Sequence, residues 1–100
     1  MERQRVKVLY YGLIRTLMGT GTEEVELPKG ATVGELIEAL ASHYGERFRE
    51  HLMAKDGNVH RNVRIFVSDR DIGRAEGLNT RLNGEGQVTF VVTVSQMSGG

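Results

Sequence analysis

The chain ends in two consecutive glycines, Gly99 and Gly100, and this ending is the part of the sequence with the clearest chemical use. Residues without a Cβ form a thin, permissive backbone that can enter a narrow channel. An α-carboxylate at its tip has a pKa of about 3.5 and is ionised at neutral pH. A partner enzyme could let that carboxylate attack ATP, giving an acyl-adenylate, and then replace AMP with sulfur or an amine. Ser-Gly-Gly is also common in artificial linkers, so the ending alone leaves both explanations open.

The side chains offer no competing chemistry. His43, His51 and His60 lack the spacing that aligns two metal ligands on a helix. The segment 69–73 resembles the start of a calcium loop, but it has glycine where a ligand is required. With no cysteine in the chain, a thiol nucleophile and a disulfide framework are excluded. We therefore expect no metal, no bound cofactor and no side-chain catalytic site, with ATP used by the partner activating enzyme.

Composition limits the class of protein. One hundred residues, of which 39% are hydrophobic, suffice for one domain with one core. Thirteen basic and 13 acidic residues give a formal net charge of zero, which argues against a nucleic-acid partner, because phosphate binding usually requires a basic excess. No apolar run reaches the length of a membrane span. The charged N-terminal residues do not resemble a signal peptide, so we expect a cytoplasmic protein with no membrane partner.

The elements that must position the tail begin with two strands. Residues 6–11 are rich in β-branched and aromatic types, and residues 23–27 alternate charged and apolar types. These strands predict a hairpin with a long loop over residues 12–21. The helix that follows is the strongest local prediction, since Thr32 and Glu35 form a capping box and an apolar stripe extends from Val33 to Tyr44.

The second half of the chain adds further strands. A possible short helical turn near Phe48 precedes a strand over 63–67, an edge segment near Ile72 and a strand over 88–94. One helix and four or five strands sharing one core predict an α+β fold, with a mixed sheet and the helix across one face. We expect a single domain over residues 1–94 and a flexible tail over 95–100.

Alternation along the strands divides the side chains between the two faces of the sheet. The face towards the helix receives Val6, Val8, Tyr10, Val25, Leu27, Val63, Ile65, Val67, Phe90, Val92 and Val94. The opposite face carries four large apolar residues, Leu9, Tyr11, Phe66 and Val91, and has no second helix to cover it. An exposed apolar patch of this kind is typical of a contact surface, although a register error or a covering loop would also explain it.

Taken together, these features resemble the β-grasp, ubiquitin-like sulfur carriers, such as the small subunit of molybdopterin synthase and the thiamin-pathway sulfur carrier. The resemblance covers nearly the whole chain. It rests on three segments in order: residues 27–36, which lead into the helix, residues 77–82, and Gly99-Gly100. The chain departs from the family in lacking two prolines before the glycines and in having residues 83–86 as Asn-Gly-Glu-Gly instead of an Asp-Gly-Asp-like turn.

The resemblance implies that an E1-like adenylating enzyme activates Gly100 and that the resulting thiocarboxylate donates sulfur. The acceptor it implies first is the large subunit of molybdopterin synthase, with cysteine, thiamin or tRNA thiolation as other destinations. A ubiquitin-like modifier, joined to lysines through Gly100, is the alternative function, and an interaction module with an incidental Gly-Gly is a third. The partner-binding residues we expect are Leu9, Tyr11, Phe66, Val91, Met97 and Ser98, beside the reactive Gly99 and Gly100.

Overall fold

The fold is described by a computed structural model, which places residues 2–82 and 86–93. The described part of the chain has three α-helices and five strands, with two short 3₁₀ helices between the fourth and fifth strands. In order they are β1 (Arg3–Gly12), α1 (Leu13–Met18), β2 (Thr22–Pro28), α2 (Val33–Tyr44), α3 (Glu46–Leu52), β3 (Val63–Val67), β4 (Arg70–Asp71), the 3₁₀ helices Ile72–Arg74 and Gly77–Asn79, and β5 (Gln87–Val92).

The strands form one mixed five-stranded sheet in the order β2-β1-β5-β3-β4. β1 pairs antiparallel with β2 and parallel with β5, while β3 is antiparallel to both β5 and β4. Among the residues that the structure describes, the first and last strands, β1 and β5, are thus the parallel pair. Because parallel strands end at the same edge of a sheet, the exits of β1 and β5 lie side by side.

Helix α2 begins where the sequence predicts. The Thr32 hydroxyl accepts a hydrogen bond from the Glu35 amide at 3.2 Å, and the Glu35 carboxylate accepts one from the Thr32 amide at 2.9 Å. This capping box satisfies amides that have no partner within the helix. The apolar stripe is buried in the core from Val33 to Ala41, while Tyr44 at its end is exposed, and Gly45 follows the last residue of the helix. The predicted span of the helix, 33–44, is confirmed.

The core lies between α2, α3 and one face of the sheet. The stacked rings of Tyr10 and Phe90, from β1 and β5, have centroids 6.0 Å apart, and Phe48 of α3 meets Phe90 edge-on at 6.3 Å. Eight of the residues predicted to face the helix are buried: Val6, Val8, Tyr10, Leu27, Val63, Ile65, Phe90 and Val92. Val25 and Val67 are half-buried against the core, and Val94 lies outside the described residues.

The arrangement confirms the β-grasp architecture and its mixed sheet, with three corrections to the predicted elements. The strand predicted over 88–94 is β5, which ends at Val92, so that Thr93 lies beyond it. Residues 12–21 are not simply a loop, because α1 occupies Leu13–Met18 and buries Ile14 in the core. The suggested turn near Phe48 is a full helix, α3, whose Phe48 and Leu52 are buried. The predicted turn over residues 83–86 lies outside the described residues except for Gly86.

Candidate functional site

The described chain ends at the edge of the sheet where β1 and β5 both terminate. The last register pair between them joins Gly12 to Val92. Gly12 has φ 77° and ψ −141°, a conformation that favours glycine, and it turns the chain directly into α1. A Cβ built at Gly12 would overlap the Val92 carbonyl oxygen. This glycine therefore permits the close approach of β1 to the end of β5, from which the C-terminal tail departs.

Thr93, the last described residue, is held from the opposite side by Asn62. The Thr93 amide donates to the Asn62 carbonyl at 3.0 Å, and the Thr93 hydroxyl donates to the same oxygen at 3.3 Å. In return, the Asn62 side-chain amide donates to the Thr93 carbonyl at 2.7 Å. Three hydrogen bonds thus join the root of the tail to the residue that precedes β3.

A small, largely apolar cleft opens beside the same point. It lies between α1 and the end of β5, and its two leucines are partly exposed, Leu13 by 37% and Leu17 by 51%. Ile14 is buried on the inner side of α1. Leu13 and Leu17 are four residues apart, so they lie together on another side of the helix, which is partly exposed. The cleft is lined by Gly12, Leu13, Thr16, Leu17, Val92 and Thr93.

The predicted apolar patch is present on the sheet face opposite the helices. Leu9 and Phe66 both pair in register with Thr89, which lies between them on β5, and Tyr11 pairs with Val91. Leu9, Phe66 and Val91 are half-buried by their neighbours on the strands, and Tyr11 is 49% exposed. The structure brings these four residues together on neighbouring strands, with Tyr11 and Val91 next to the end of β5 and Leu9 and Phe66 beside its middle. Their role as partner-binding residues stays a prediction.

The other end of this face is charged. Arg3 lies 3.7 Å from the carboxylate of Glu26, and Arg5 lies 3.6 Å from Glu24. The register also sets Lys7 opposite Glu24. Exposed pairs of this kind contribute little stability because water screens them. The open face therefore has a zwitterionic end, formed by the first half of β1 with β2, and an apolar part over β1, β5 and β3, where the exposed Arg64 lies beside Val91.

A polar contact on the helix side joins the sheet to α2. The buried Tyr10 donates to Glu23 Oε2 at 2.5 Å, and Tyr44 of α2 donates to Glu23 Oε1 at 2.8 Å. Burial, and then the hydrogen bond to Glu23, raises the pKa of Tyr10 well above its ordinary value of 10.0. The same causes raise the pKa of Tyr44. The hydroxyl of Tyr10 stays protonated, so this contact acts as a structural link between helix and sheet.

The residues expected to carry the chemistry lie outside the described part of the chain. Gly99 and Gly100 belong to this part, as do the predicted contact residues Met97 and Ser98. What the structure contributes is the place from which they depart, between Gly12 and Asn62. Chemistry at Gly100 remains an expectation from the sequence.

The minor candidates have structural roles. Asp71, in the segment that resembles a calcium loop, accepts a hydrogen bond from the Gly73 amide at 2.8 Å and lies 3.3 Å from Arg64. Nε2 of His60 lies 2.8 Å from the Glu50 carbonyl. Within residues 2–82 and 86–93, no three acidic or histidine side chains gather closely enough to hold a metal ion. None of the helices in this part of the chain has the length and apolar character needed to span a bilayer.

Sequence reasoning missed three features of the site. The apolar residues of α1 recur at a spacing of four, Leu13 with Leu17, which is a helical period that could have revealed α1. The close approach of Gly12 to the Val92 carbonyl was indicated in the sequence only by the presence of a glycine at the end of a strand. The bond from Asn62 to Thr93 had none, because nothing local indicates which residues a sheet brings together across 31 positions.

Comparison with protein families matches the chain to the ThiS family over residues 8–96. A relative from Archaeoglobus fulgidus, assigned as a sulfur carrier protein, is 33% identical over 75 residues, which cover 75% of this chain and 83% of that protein. The match over residues 8–96 includes β5 and the first residues of the tail. It spans most of the domain described above.

Solved structures show the same fold. CysO from Mycobacterium tuberculosis is 32% identical, with a TM-score of 0.70, over 89% of this chain and 99% of that chain. A protein from Pyrococcus furiosus, assigned as molybdopterin converting factor subunit 1, is 31% identical, with a TM-score of 0.68, over 91% of this chain and 99% of that chain. On the family match and these relatives, the chain belongs to the ThiS family of ubiquitin-like sulfur carriers.

Proposed function

We propose that this sulfur carrier holds sulfur as a thiocarboxylate on Gly100 and delivers it in molybdopterin biosynthesis. The observation that carries the proposal is the Gly99-Gly100 ending in a chain of the ThiS family. The similarity to the Pyrococcus furiosus protein supports molybdopterin synthase as the destination. The cytoplasm, where ATP is available to a partner, is the compartment that this function requires.

The proposed chemistry has two steps, both performed on the chain by an E1-like adenylating enzyme. First, a carboxylate oxygen of Gly100 attacks the α-phosphorus of ATP, and pyrophosphate leaves with the electrons of the broken P–O bond. Second, a sulfide equivalent supplied by the partner attacks the acyl carbon, and AMP leaves as the C–S bond forms. A mixed anhydride is needed because a free carboxylate is too poor an electrophile to accept sulfur directly.

The geometry supports separate roles for the two parts of the chain, with the domain docking on the partner and the tail carrying the reactive Gly100. β5 ends at Val92, and the seven residues 94–100 can reach at most about 25 Å from Thr93 when fully extended. This length lets a partner receive Gly100 while the domain stays outside its active site. The apolar part of the open face, with Leu9, Phe66 and Val91, lies over β5 and its two neighbouring strands and is the surface we propose for docking.

The decisive experiment is ATP–pyrophosphate exchange with the E1-like enzyme of the source organism. We expect exchange with the full chain and none with a variant that lacks Gly99 and Gly100. The melting temperature of the variant should match that of the full chain, because no core residue is removed. Exchange that persists without the two glycines would contradict activation at Gly100.

The sulfur acceptor is tested by reconstitution. The thiocarboxylated chain, incubated with a molybdopterin synthase large subunit and the cofactor precursor, should produce the sulfurated cofactor. Turnover with a cysteine-forming enzyme instead would redirect the proposal to that acceptor, and lysine-linked adducts of higher mass would favour the protein-modifier alternative. Either result would replace the molybdopterin assignment while leaving activation at Gly100 intact.

A further inference from the structure

We propose that Asn62 is a positioning residue, which sets the direction in which the reactive tail leaves the sheet. The inference rests on the proposed function, since it concerns how Gly100 reaches the activating enzyme. It is carried by one contact, the hydrogen bond from the Asn62 side-chain amide to the Thr93 carbonyl at 2.7 Å. This distance is at the short end of the ordinary range for N–H···O bonds.

The contact acts at the point where the sheet stops guiding the backbone. The register of β1 with β5 ends at Gly12 and Val92, and that of β3 with β5 ends at Val63 and Val92. Thr93 is one residue beyond both. The backbone hydrogen bond from the Thr93 amide to the Asn62 carbonyl fixes only the peptide group between Val92 and Thr93.

The peptide group that follows Thr93 is fixed by the side chain of Asn62, which donates a hydrogen bond to its carbonyl oxygen. The Thr93 carbonyl belongs to the planar peptide unit that leads to the next residue. Holding this oxygen therefore restricts ψ of Thr93, which is the dihedral angle that decides where the chain goes next. The Thr93 hydroxyl bond to the Asn62 carbonyl, at 3.3 Å, is longer and does not act on this dihedral.

Asn62 is itself anchored to the domain. The Val63 amide donates to the His60 carbonyl at 3.1 Å, and the His60 amide donates to the Leu52 carbonyl at 3.0 Å. Leu52 is fully buried at the end of α3. The side chain that holds Thr93 thus projects from a segment tied to the core, as a positioning group requires.

A tail with a preset direction loses less freedom when an enzyme binds it. Removing the bond should therefore raise KM for the carrier and leave kcat nearly unchanged, because the Gly100 carboxylate is chemically the same. We expect kcat/KM for adenylation to fall about five- to tenfold in Asn62→Ala, the scale expected when one fixed element of a bound segment is released.

Three variants separate positioning from general stability. Asn62→Asp keeps the size of the side chain but removes the N–H donor, so it should show the same increase in KM as Asn62→Ala. Thr93→Val removes only the longer hydroxyl bond and should behave nearly as the unmodified chain. Asn79→Ala is the matched control, because Asn79 is exposed in the second 3₁₀ helix, outside the sheet.

The readouts are steady-state ATP–pyrophosphate exchange against carrier concentration and the ¹³C resonance of the Thr93 carbonyl. We expect this resonance to move in Asn62→Ala and Asn62→Asp, with melting temperatures close to that of the unmodified chain. Unchanged KM in both Asn62 variants, with the unmodified chain active, would overturn the inference and leave the proposed function standing. An unmodified chain that supports no exchange would instead refute the proposed function, while the carbonyl resonance would still decide whether the bond exists.

Discussion

Gly12 lies against the carbonyl oxygen of Val92, so closely that a Cβ at position 12 would overlap this oxygen. The two residues end the parallel pair at the centre of the sheet. Gly12 also directly precedes α1, whose Leu13 lines the cleft beside the end of β5. One residue without a side chain therefore allows the strand to end, the helix to begin and the tail to depart at a single point.

Gly12→Ala should be among the more damaging single substitutions in this chain. It introduces the overlap with Val92 and requires alanine to adopt φ 77° and ψ −141°. We expect a loss of at least about 2 kcal/mol in the free energy of unfolding, because backbone strain of this kind alone costs of order 1–3 kcal/mol. Urea denaturation followed by circular dichroism measures the loss.

Gly19→Ala is the matched control for that substitution. Gly19 has a similar φ of 74°, but nothing lies within 4 Å of a Cβ built there. Its ψ of 9° is in the left-handed helical region, where alanine costs about 1 kcal/mol. Equal losses in the two variants would show that the approach of Gly12 to Val92 is not a steric constraint.

Tyr10→Phe tests the link between the sheet and α2. It removes the hydroxyl that donates to Glu23 and leaves the bond from Tyr44 to Glu23 in place. We expect the free energy of unfolding at neutral pH to fall by about 1–2 kcal/mol, the range for a hydrogen bond to a charged group that is partly solvated. Tyr11→Phe, on the open face, is the control and should change it by less than about 0.5 kcal/mol.

Alkaline pH should weaken the fold through the same tyrosine. Burial and the bond to Glu23 raise the pKa of Tyr10, so the folded chain keeps this proton at a pH where the unfolded chain releases it. The stabilisation is complete below the unfolded pKa of about 10 and is lost as the pH rises above it, by about 1.4 kcal/mol per pH unit. Denaturation midpoints between neutral and strongly alkaline pH should therefore fall less steeply in Tyr10→Phe. If the denaturation midpoint falls with pH equally steeply in the unmodified chain and in Tyr10→Phe, Tyr10 is not the group whose proton stabilises the fold.

Phe66→Ala tests the open face as a docking surface. Phe66 lies on β3, and Thr89 of β5 separates it from Leu9 of β1 in the apolar part of the face. If the activating enzyme covers this patch, losing a half-buried ring should weaken binding by about 2 kcal/mol, or roughly 30-fold, as for a central contact residue. Isothermal titration calorimetry with the E1-like enzyme measures the change.

The control for Phe66→Ala is Lys7→Ala, which alters the charged end of the same face. Lys7 lies on β1 opposite Glu24, two residues before Leu9 on the same face, and so at the rim of the apolar patch. We expect its effect on binding to stay below about 0.5 kcal/mol, because contacts at the rim of an interface contribute little. If Lys7→Ala weakens binding more than Phe66→Ala does, the docking surface lies at the zwitterionic end of the face and not on the apolar patch.

The sequence analysis succeeded where the signals are local and periodic. Thr32 and Glu35 identified the start of α2, since a capping box depends on residues three apart. Alternation placed Leu9 and Phe66 on one face and Tyr10 and Phe90 on the other, because strand geometry fixes the direction of successive side chains.

Features that depend on distant parts of the chain could not be predicted in this way. Glu23 is joined to Tyr44 across 21 positions, and Asn62 to Thr93 across 31. Such contacts arise from the order of strands in the sheet and from the packing of α2 on it. No local pattern in the sequence encodes either.

Intact-mass spectrometry of the protein from its source organism tests the central claim most directly. Cells grown with active cofactor synthesis should contain a population in which one oxygen of Gly100 is replaced by sulfur. Fragmentation should confine the added mass to the C-terminal glycine, and the modification should vanish in a strain without the E1-like enzyme. Sulfur located on any other residue, or a Gly100 that is unmodified in both strains, would contradict the account.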